Sequence, residues 1–292
     1  MTPLTLDHLV IAVRDLERAM ESYCTLLGLS PSWRGGHPTY GTANALFRLD
    51  NTYLELLAPA GGASASPWLR ALDEHLDAHG EGLYAIALGT DDIGESVALA
   101  RSRGLEVDDP ADGDGVDLAT GAQREWRNAR ISTGSTRGVR GFFIEHRSPA
   151  DALPKAQPCA SGGAFATAVD HTVVASSDLA GSLRLWRDAL GLDLRRTVDW
   201  AGGRQLHFLR LGDTILELAG EAEPERPGGR DTLWGVSYQV GDVAATVARL
   251  RAAGVSVSYP RPGHAPNTIV ADLKPGFSHD ARTLLIQKEV AG

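Results

Sequence analysis

Asp7-His8-Leu9-Val10-Ile11-Ala12-Val13 decides the fold, because Asp170-His171-Thr172-Val173-Val174-Ala175 repeats it in the second half of the 292-residue chain. Both stretches read as β-strands rich in β-branched and apolar residues. The offset between them persists. Asp15-Leu16 matches Asp178-Leu179, and Leu27-Gly28-Leu29 matches Leu190-Gly191-Leu192. After a one-residue deletion, Arg48-Leu49 through Tyr53-Leu54-Glu55-Leu56 matches Arg210-Leu211 through Ile215-Leu216-Glu217-Leu218. Chance does not hold register over so long a stretch, so the chain is an internal repeat.

A second, weaker similarity between the halves relates Asp92-Ile93 through Arg103-Gly104-Leu105-Glu106-Val107 to Asp242-Val243 through Ala253-Gly254-Val255-Ser256-Val257. Each is an amphipathic helix stopped by glycine and followed by a strand. Four modules result. In the first, Asp15 is the expected N-cap, Leu16 to Leu27 the helix and Gly28 its C-terminal stop. Phe47-Arg48-Leu49 and Tyr53 to Leu57, separated by Asp50-Asn51-Thr52, read as a hairpin. The expected fold class is α+β, built from tandem β-α-β-β-β modules. The expected domains are 1–147 and 166–292, joined by a Pro-, Ala-, Ser- and Gly-rich linker at 148–165. The acidic stretch Asp108 to Gly115 lacks the closing Glu of an EF-hand and is expected to be a solvated loop.

Composition narrows the function. Hydrophobic residues at 43% and charged residues at 22% suit a globular protein. A formal charge of -9 and a pI near 5.5 repel polyanions, so nucleic acid is not an expected partner. Two cysteines, Cys24 and Cys159, build neither a disulfide framework nor a cysteine metal cluster. With no signal-like N-terminus and no apolar run long enough to span a bilayer, the expectation is a cytoplasmic protein without a membrane partner. No dinucleotide fingerprint, phosphate loop or nucleophile elbow occurs, so no organic cofactor is expected.

Paired β-α-β-β-β modules with a His on the first strand and a Glu on the last resemble the vicinal oxygen chelate superfamily, which includes glyoxalases, bleomycin-resistance proteins, extradiol dioxygenases and epimerases. Gly35-Gly36-His37-Pro38-Thr39-Tyr40-Gly41-Thr42-Ala43-Asn44-Ala45-Leu46, followed by Tyr53-Leu54-Glu55-Leu56, resembles a glyoxalase-like signature. The resemblance implies that two modules form a cup of curved sheet able to hold a divalent metal (Zn, Fe, Mn or Ni). Strand alternation puts His8 and Glu55 on cup faces. The partner module's positions then read Ala85 and Glu145, giving His8, Glu55 and Glu145 as metal candidates with one histidine missing. Glu55 and Glu145 are also the candidate catalytic carboxylates. His37 could replace the missing nitrogen or simply cap backbone groups, and His8 could be a structural histidine.

Thr42, Asn44 and Tyr53 are candidate substrate contacts with His37. Arg124 and Trp126 either reach the pocket mouth or lie on the outer face of their strand. The second half keeps His171 and Glu217 but has Gly235 and Gln287 at the other positions, so it is expected to shape, lid or dimerise. His264 and His279 are loop histidines without an identified partner. The resulting expectation is a metal-dependent lyase or isomerase acting on a small oxygenated molecule. The alternative is a metal-free ligand-binding or antibiotic-sequestering protein. Exposed sheet edges between modules would allow a homodimer.

Overall fold

The computed structural model describes residues 3–37, 40–60, 66–200, 202–222, 229–274 and 276–288. Met1 and Thr2 of the N-terminus, and Pro38 and Thr39 of the signature segment, lie outside the described residues. The first module contains β1 (Thr5–Ala12), α1 (Leu16–Leu27), β2 (Leu29–Ser30), β3 (Trp33–His37), β4 (Thr42–Arg48) and β5 (Tyr53–Pro59). After α2 (Pro67–His79), the second module contains β6 (Gly82–Gly89), α3 (Ile93–Ser102), β7 (Ala111–Asp117), β8 (Gln123–Ile131) and β9 (Gly141–His146). Helix α1 starts and stops where its caps dictate. The Asp15 side chain accepts from the Arg18 N–H, and Gly28 adopts the left-handed region at φ 68°.

A two-residue strand, β10 (Gln157–Pro158), runs back along β2, so part of the expected linker is packed against the first half. The third module holds β11 (Ala166–Ser176), α4 (Leu179–Leu183, continued by a π-helical turn to Ala189), β12 (Asp193–Trp200), β13 (Arg204–Leu211) and β14 (Thr214–Glu221). The fourth holds β15 (Asp231–Val240), α5 (Val243–Ala252), β16 (Arg261–Pro262), β17 (Thr268–Asp272) and β18 (Arg282–Lys288). No described helix is long and apolar enough to cross a membrane.

The two halves use one strand order but end differently. The first is a closed barrel, β1-β5-β4-β3-β7-β8-β9-β6, sealed where Gly35 and Gly36 of β3 pair with Asp117 and Val116 of β7. At that seam a Cβ on Gly35 would collide with the Val116 carbonyl oxygen and the Trp33 indole nitrogen. Glycine is required for the backbones to approach. The second half, β12-β13-β14-β11-β15-β18-β17-β16, stays open because β16 never meets β12. Pro260 and Pro262 remove the amide donors that a closing ladder would need. The free edges of the second sheet are therefore β12 of the third module and β16 of the fourth, the counterparts of the β3 and β7 strands that close the first half.

Ala111–Asp117 corrects the expected solvated loop: it is a barrel strand. Its glycines have a packing reason, since a Cβ at Gly113 or Gly115 would meet the Trp126 ring on the paired strand β8. One continuous apolar core joins the halves through the outward faces of β1 and β11, with Leu9, Ile11, Val174 and Tyr238 essentially buried. Polar ties reinforce it. Tyr23 donates to the Ser278 carbonyl, Asn51 exchanges two hydrogen bonds with Val169, and Arg249 donates to the Thr25 and Leu26 carbonyls. His279, read as unpartnered, donates to Glu81 at 2.6 Å, and His264 lies edge-on to Trp200.

Candidate functional site

Strand alternation turns His8 and Val10 of β1, Tyr53, Glu55 and Leu57 of β5, and Thr42 and Asn44 of β4 into the barrel. His37 of β3, with Arg124, Trp126 and Asn128 of β8, completes the polar wall. Helix α2 covers part of this face. Leu72 and Leu76 pack on Val10, Ala12, Tyr84 and Ala85, and Trp68 reaches the cavity. The hollow is about 450 Å³, within the range of small-ligand sites. The open sheet of the second half makes a trough of about 1890 Å³, in which His171 is held by Asp170 and Ser237, each at 2.8 Å. The barrel is the better-formed site, because its polar groups are buried and converge.

Those groups form one chain. Asp7 accepts from His8 Nδ1 (2.6 Å) and His146 Nε2 (2.9 Å), while His8 Nε2 lies 3.4 Å from Glu55. The Asn44 amide donates to Glu55 Oε1 (2.8 Å) and approaches His37 Nε2 (3.3 Å), and His37 Nδ1 contacts Thr42 Oγ1 (3.0 Å). Burial opposes the charge on His8, but Asp7 and Glu55 outweigh it and raise the imidazole to about 9. Burial likewise opposes the Glu55 charge, and His8, His37 and Asn44 outweigh it, holding the carboxyl at about 2. Asp7 is also held below the usual carboxylate range against its burial, by His146 and His8. Burial lowers His37, only partly countered by Glu55 and Asp114, so it is a neutral ring. Burial also keeps the Tyr53 phenol protonated. The Tyr53 ring stacks on His8 with centroids 4.4 Å apart.

The ion pair sets a pH dependence of stability. His8 is raised from 6.5, so its contribution is full below about 6.5 and is lost as pH climbs through about 9. Glu55 is depressed from 4.5, so its contribution is present above about 4.5 and lost as pH falls through about 2. Denaturant melts should therefore show wild-type stability falling between pH 6.5 and 9, by an amount on the order of 3 kcal/mol, relative to His8→Gln. Parallel wild-type and His8→Gln curves over that window would show that His8 is uncharged in the folded protein.

The divalent metal implied by the superfamily resemblance does not fit this donor set. Among the described residues no three His, Cys, Asp or Glu side chains converge as a metal site. His8 and Glu55 supply two donors where a catalytic site takes about three from the protein. The Asn44 amide stands between His37 and Glu55, so His37 does not supply the third. Glu145 is elsewhere. Val10 pairs with Glu55 across β1 and β5, and the equivalent pair across β6 and β9 is Ala87 with Phe142. Phe142 thus takes the Glu55 position, and Glu145 caps α3 at the Ile93 N–H (3.1 Å) and pairs with Arg147 (3.0 Å). Gln287 makes the same cap in the second half, accepting from the Val243 N–H, while Leu284 is the residue opposite Ser237.

The structure therefore gathers His8, His37, Thr42, Asn44, Tyr53, Glu55, Arg124 and Trp126 around one cavity and leaves Glu145 outside. Of the two orientations open to Arg124 and Trp126, both take the inward one. Asn44 Oδ1 is buried without a partner, a state that costs about 1–3 kcal/mol. Sequence reasoning missed Trp68, Tyr84, Phe142, and the Asp7–His146 contact behind His8. Helix α2 had a readable signal in Ser66-Pro67 followed by Leu69, Leu72 and Leu76 at helical spacing.

A closed barrel of two β-α-β-β-β modules fused to an open copy of itself defines a tandem glyoxalase-type protein. A family model described as "Glyoxalase-like domain" matches residues 6–164, more than half of the chain, and the protein belongs to that family. Residues 168–272 match the Glyoxalase/Bleomycin resistance protein/Dioxygenase superfamily. No curated protein matches the sequence. Among solved structures, a mutant of 4-hydroxymandelate synthase from Streptomyces coelicolor is similar with TM-score 0.70 and 16% identity, covering 100% of this chain and 94% of the other. A hypothetical protein from Staphylococcus aureus is similar with TM-score 0.65 and 16% identity, over 97% of this chain and 99% of that one. The Mn(II)-bound glyoxalase from Novosphingobium aromaticivorans is similar with TM-score 0.64 and 18% identity, over 99% of this chain and 83% of that one. At such identities these likenesses establish the fold.

Proposed function

We propose that the barrel is a binding cup for a small, flat organic anion, held by the chain's own side chains without a metal. Arg124 carries this reading. It is 7% exposed, lines the cavity, and has no carboxylate within ion-pair distance among the described residues. The charge of His8 is already matched by Asp7 and Glu55 and that of Arg130 by Asp108, and Arg140 is only half-buried over the Tyr84 ring, so Arg124 is the buried cation left to be matched from within the cup. A desolvated guanidinium without a counter-charge is expensive, and its planar fork suits a carboxylate. The rings of Trp33 and Tyr53, with centroids 5.7 and 5.5 Å from its central carbon, fix its orientation.

The Glu55 carboxyl, held at about 2, is too weak a base at neutral pH to abstract a carbon-bound proton. Binding is the role its ion pair supports. Calorimetric titration of the native protein with small carboxylic acids tests the proposal. A carboxylate that binds wild type should lose about 10- to 100-fold in affinity on Arg124→Gln, the range for a hydrogen-bonded charge. Elemental analysis of the same preparation should find no stoichiometric transition metal. Unchanged affinity in Arg124→Gln would sink the reading. So would a metal near one per chain that is lost in His8→Ala and Glu55→Ala.

A further inference from the structure

We infer that the cup takes a flat dianion, a rigid aromatic acid with an anionic group at each end. The inference rests on the reading of the barrel as an anion-binding cup and adds Arg140 as its second anchor. The cationic side chains lining the cavity are His8, Arg124, Arg130 and Arg140. Two of them are answered within the protein. His8 stands between Asp7 (2.6 Å) and Glu55 (3.4 Å), and the exposed Arg130 pairs with Asp108 at 2.7 Å. Arg124 and Arg140 have no carboxylate within ion-pair distance among the described residues. Arg140 is half-buried, with its central carbon 5.0 Å from the centroid of the Tyr84 ring. Burial and, after it, the Arg140 charge push the His75 imidazole, which meets the same ring edge-on at 4.8 Å, down to about 4. Helix α2 therefore offers Arg140 a neutral ring, and its Glu74 is turned out to solvent.

The two arginines belong to different walls. Arg124 sits near the start of β8, whereas Arg140 immediately precedes β9, beside the far end of β8, where Ile131 pairs with Gly141. At about 3.3 Å per residue, roughly 20 Å of strand separates their backbone positions. The rings that carry them are apart as well. Arg124 leans on Tyr53 of β5 and Arg140 on Tyr84 of β6, and β1 runs between those two strands. Two interstrand spacings of about 4.8 Å put roughly 10 Å between them. That separation suits two anionic groups at opposite ends of one ligand, not one carboxylate gripped by both arginines. Tyr53 stacks on His8 at 4.4 Å, and Phe142 meets His8 edge-on at 5.6 Å, so the wall between the anchors suits a ring. Two unmatched guanidiniums facing one water-poor hollow also focus a positive field there, which favours a doubly charged ligand over a singly charged one of the same shape.

The test is calorimetric titration of wild type and Arg140→Gln with matched acids. Terephthalate, para-carboxyphenylacetate and para-carboxycinnamate are each compared with a half-amide, in which one carboxylate becomes a carboxamide, and phthalate with its half-amide is the vicinal control. The best of the para dianions is expected to bind wild type at least about tenfold more tightly than its half-amide, a difference of about 1.4 kcal/mol. That preference should fall below about threefold in Arg140→Gln. The half-amide keeps the size and the hydrogen-bonding groups without the second charge, so the wild-type comparison decides the matter even if the variant does not fold. Equal binding of dianions and half-amides to wild type would overturn the inference and leave the anion cup standing. The same holds for a preference that survives Arg140→Gln, or for phthalate gaining as much over its half-amide as the para dianions do. Absence of binding by every acid would overturn the cup itself.

Discussion

Replacing His8 by leucine is expected to remove about 3–5 kcal/mol of folding stability, enough to lower the melting temperature by roughly 10 °C in a chain of this size. The loss comes from what the imidazole leaves behind more than from what it contributes. His8 is flanked by Asp7 and Glu55, both nearly buried, and without it two carboxylates share a desolvated space. Asp7 retains His146 at 2.9 Å, so Glu55 is the stranded charge. Adding Glu55→Gln to His8→Leu should therefore recover a substantial part of the loss, whereas two independent destabilising changes would add. His171→Leu in the second half is the internal comparison. Glu217 is 3.7 Å from that ring, and burial already pushes its carboxyl up toward the neutral form, so less charge is stranded and about 1 kcal/mol is expected. Urea titrations of the four proteins decide the matter. A loss below about 1 kcal/mol in His8→Leu would mean that His8 is neutral and Glu55 protonated in the native state.

The repeat made the architecture legible, because matching strand–helix–strand segments at a constant offset leave few ways to arrange the modules. Helix α1 could be read to the residue from Asp15 and Gly28, since caps are local chemistry. Register across a sheet is not local. Glu145 sits three residues beyond Phe142, and nothing in Gly141-Phe142-Phe143-Ile144-Glu145-His146 reveals which member lies opposite Ala87. A strand-end carboxylate beside a helix N-terminus looks the same in sequence whether it faces a cup or caps a helix, and here it caps α3. The inward turn of Arg124 and Trp126 was undecidable for the same reason, because two faces of one strand were open to them. Gly113 and Gly115 held the answer in disguise. Expected in a solvated acidic loop, they in fact leave bare the strip of β7 on which the Trp126 ring lies.

Gly35→Val should cost about 3 kcal/mol or more and abolish binding in the cup, because Gly35 is where the barrel closes. Valine has a higher strand propensity than glycine, so any destabilisation must come from the seam and not from β3 itself. The new Cβ would meet the Val116 carbonyl and the Trp33 ring, and the two backbones would have to separate. Separation strains the Asp117 clamp, whose carboxylate accepts from the Arg34 N–H (3.0 Å) and from the Thr120 N–H (2.8 Å). Strand β7 would then carry Gly113 and Gly115 away from Trp126, opening the wall that His37 and Trp126 share. Gly36→Ala is the milder neighbour, with its nearest contact a carbonyl oxygen at 3.3 Å, and should retain binding. The second half lacks this seam, so its own strands should be protected from hydrogen exchange in Gly35→Val as in wild type. A Gly35→Val protein with wild-type stability and ligand affinity would show that the cup does not depend on closure. It would also place its recognition groups on β1, β4 and β5 alone.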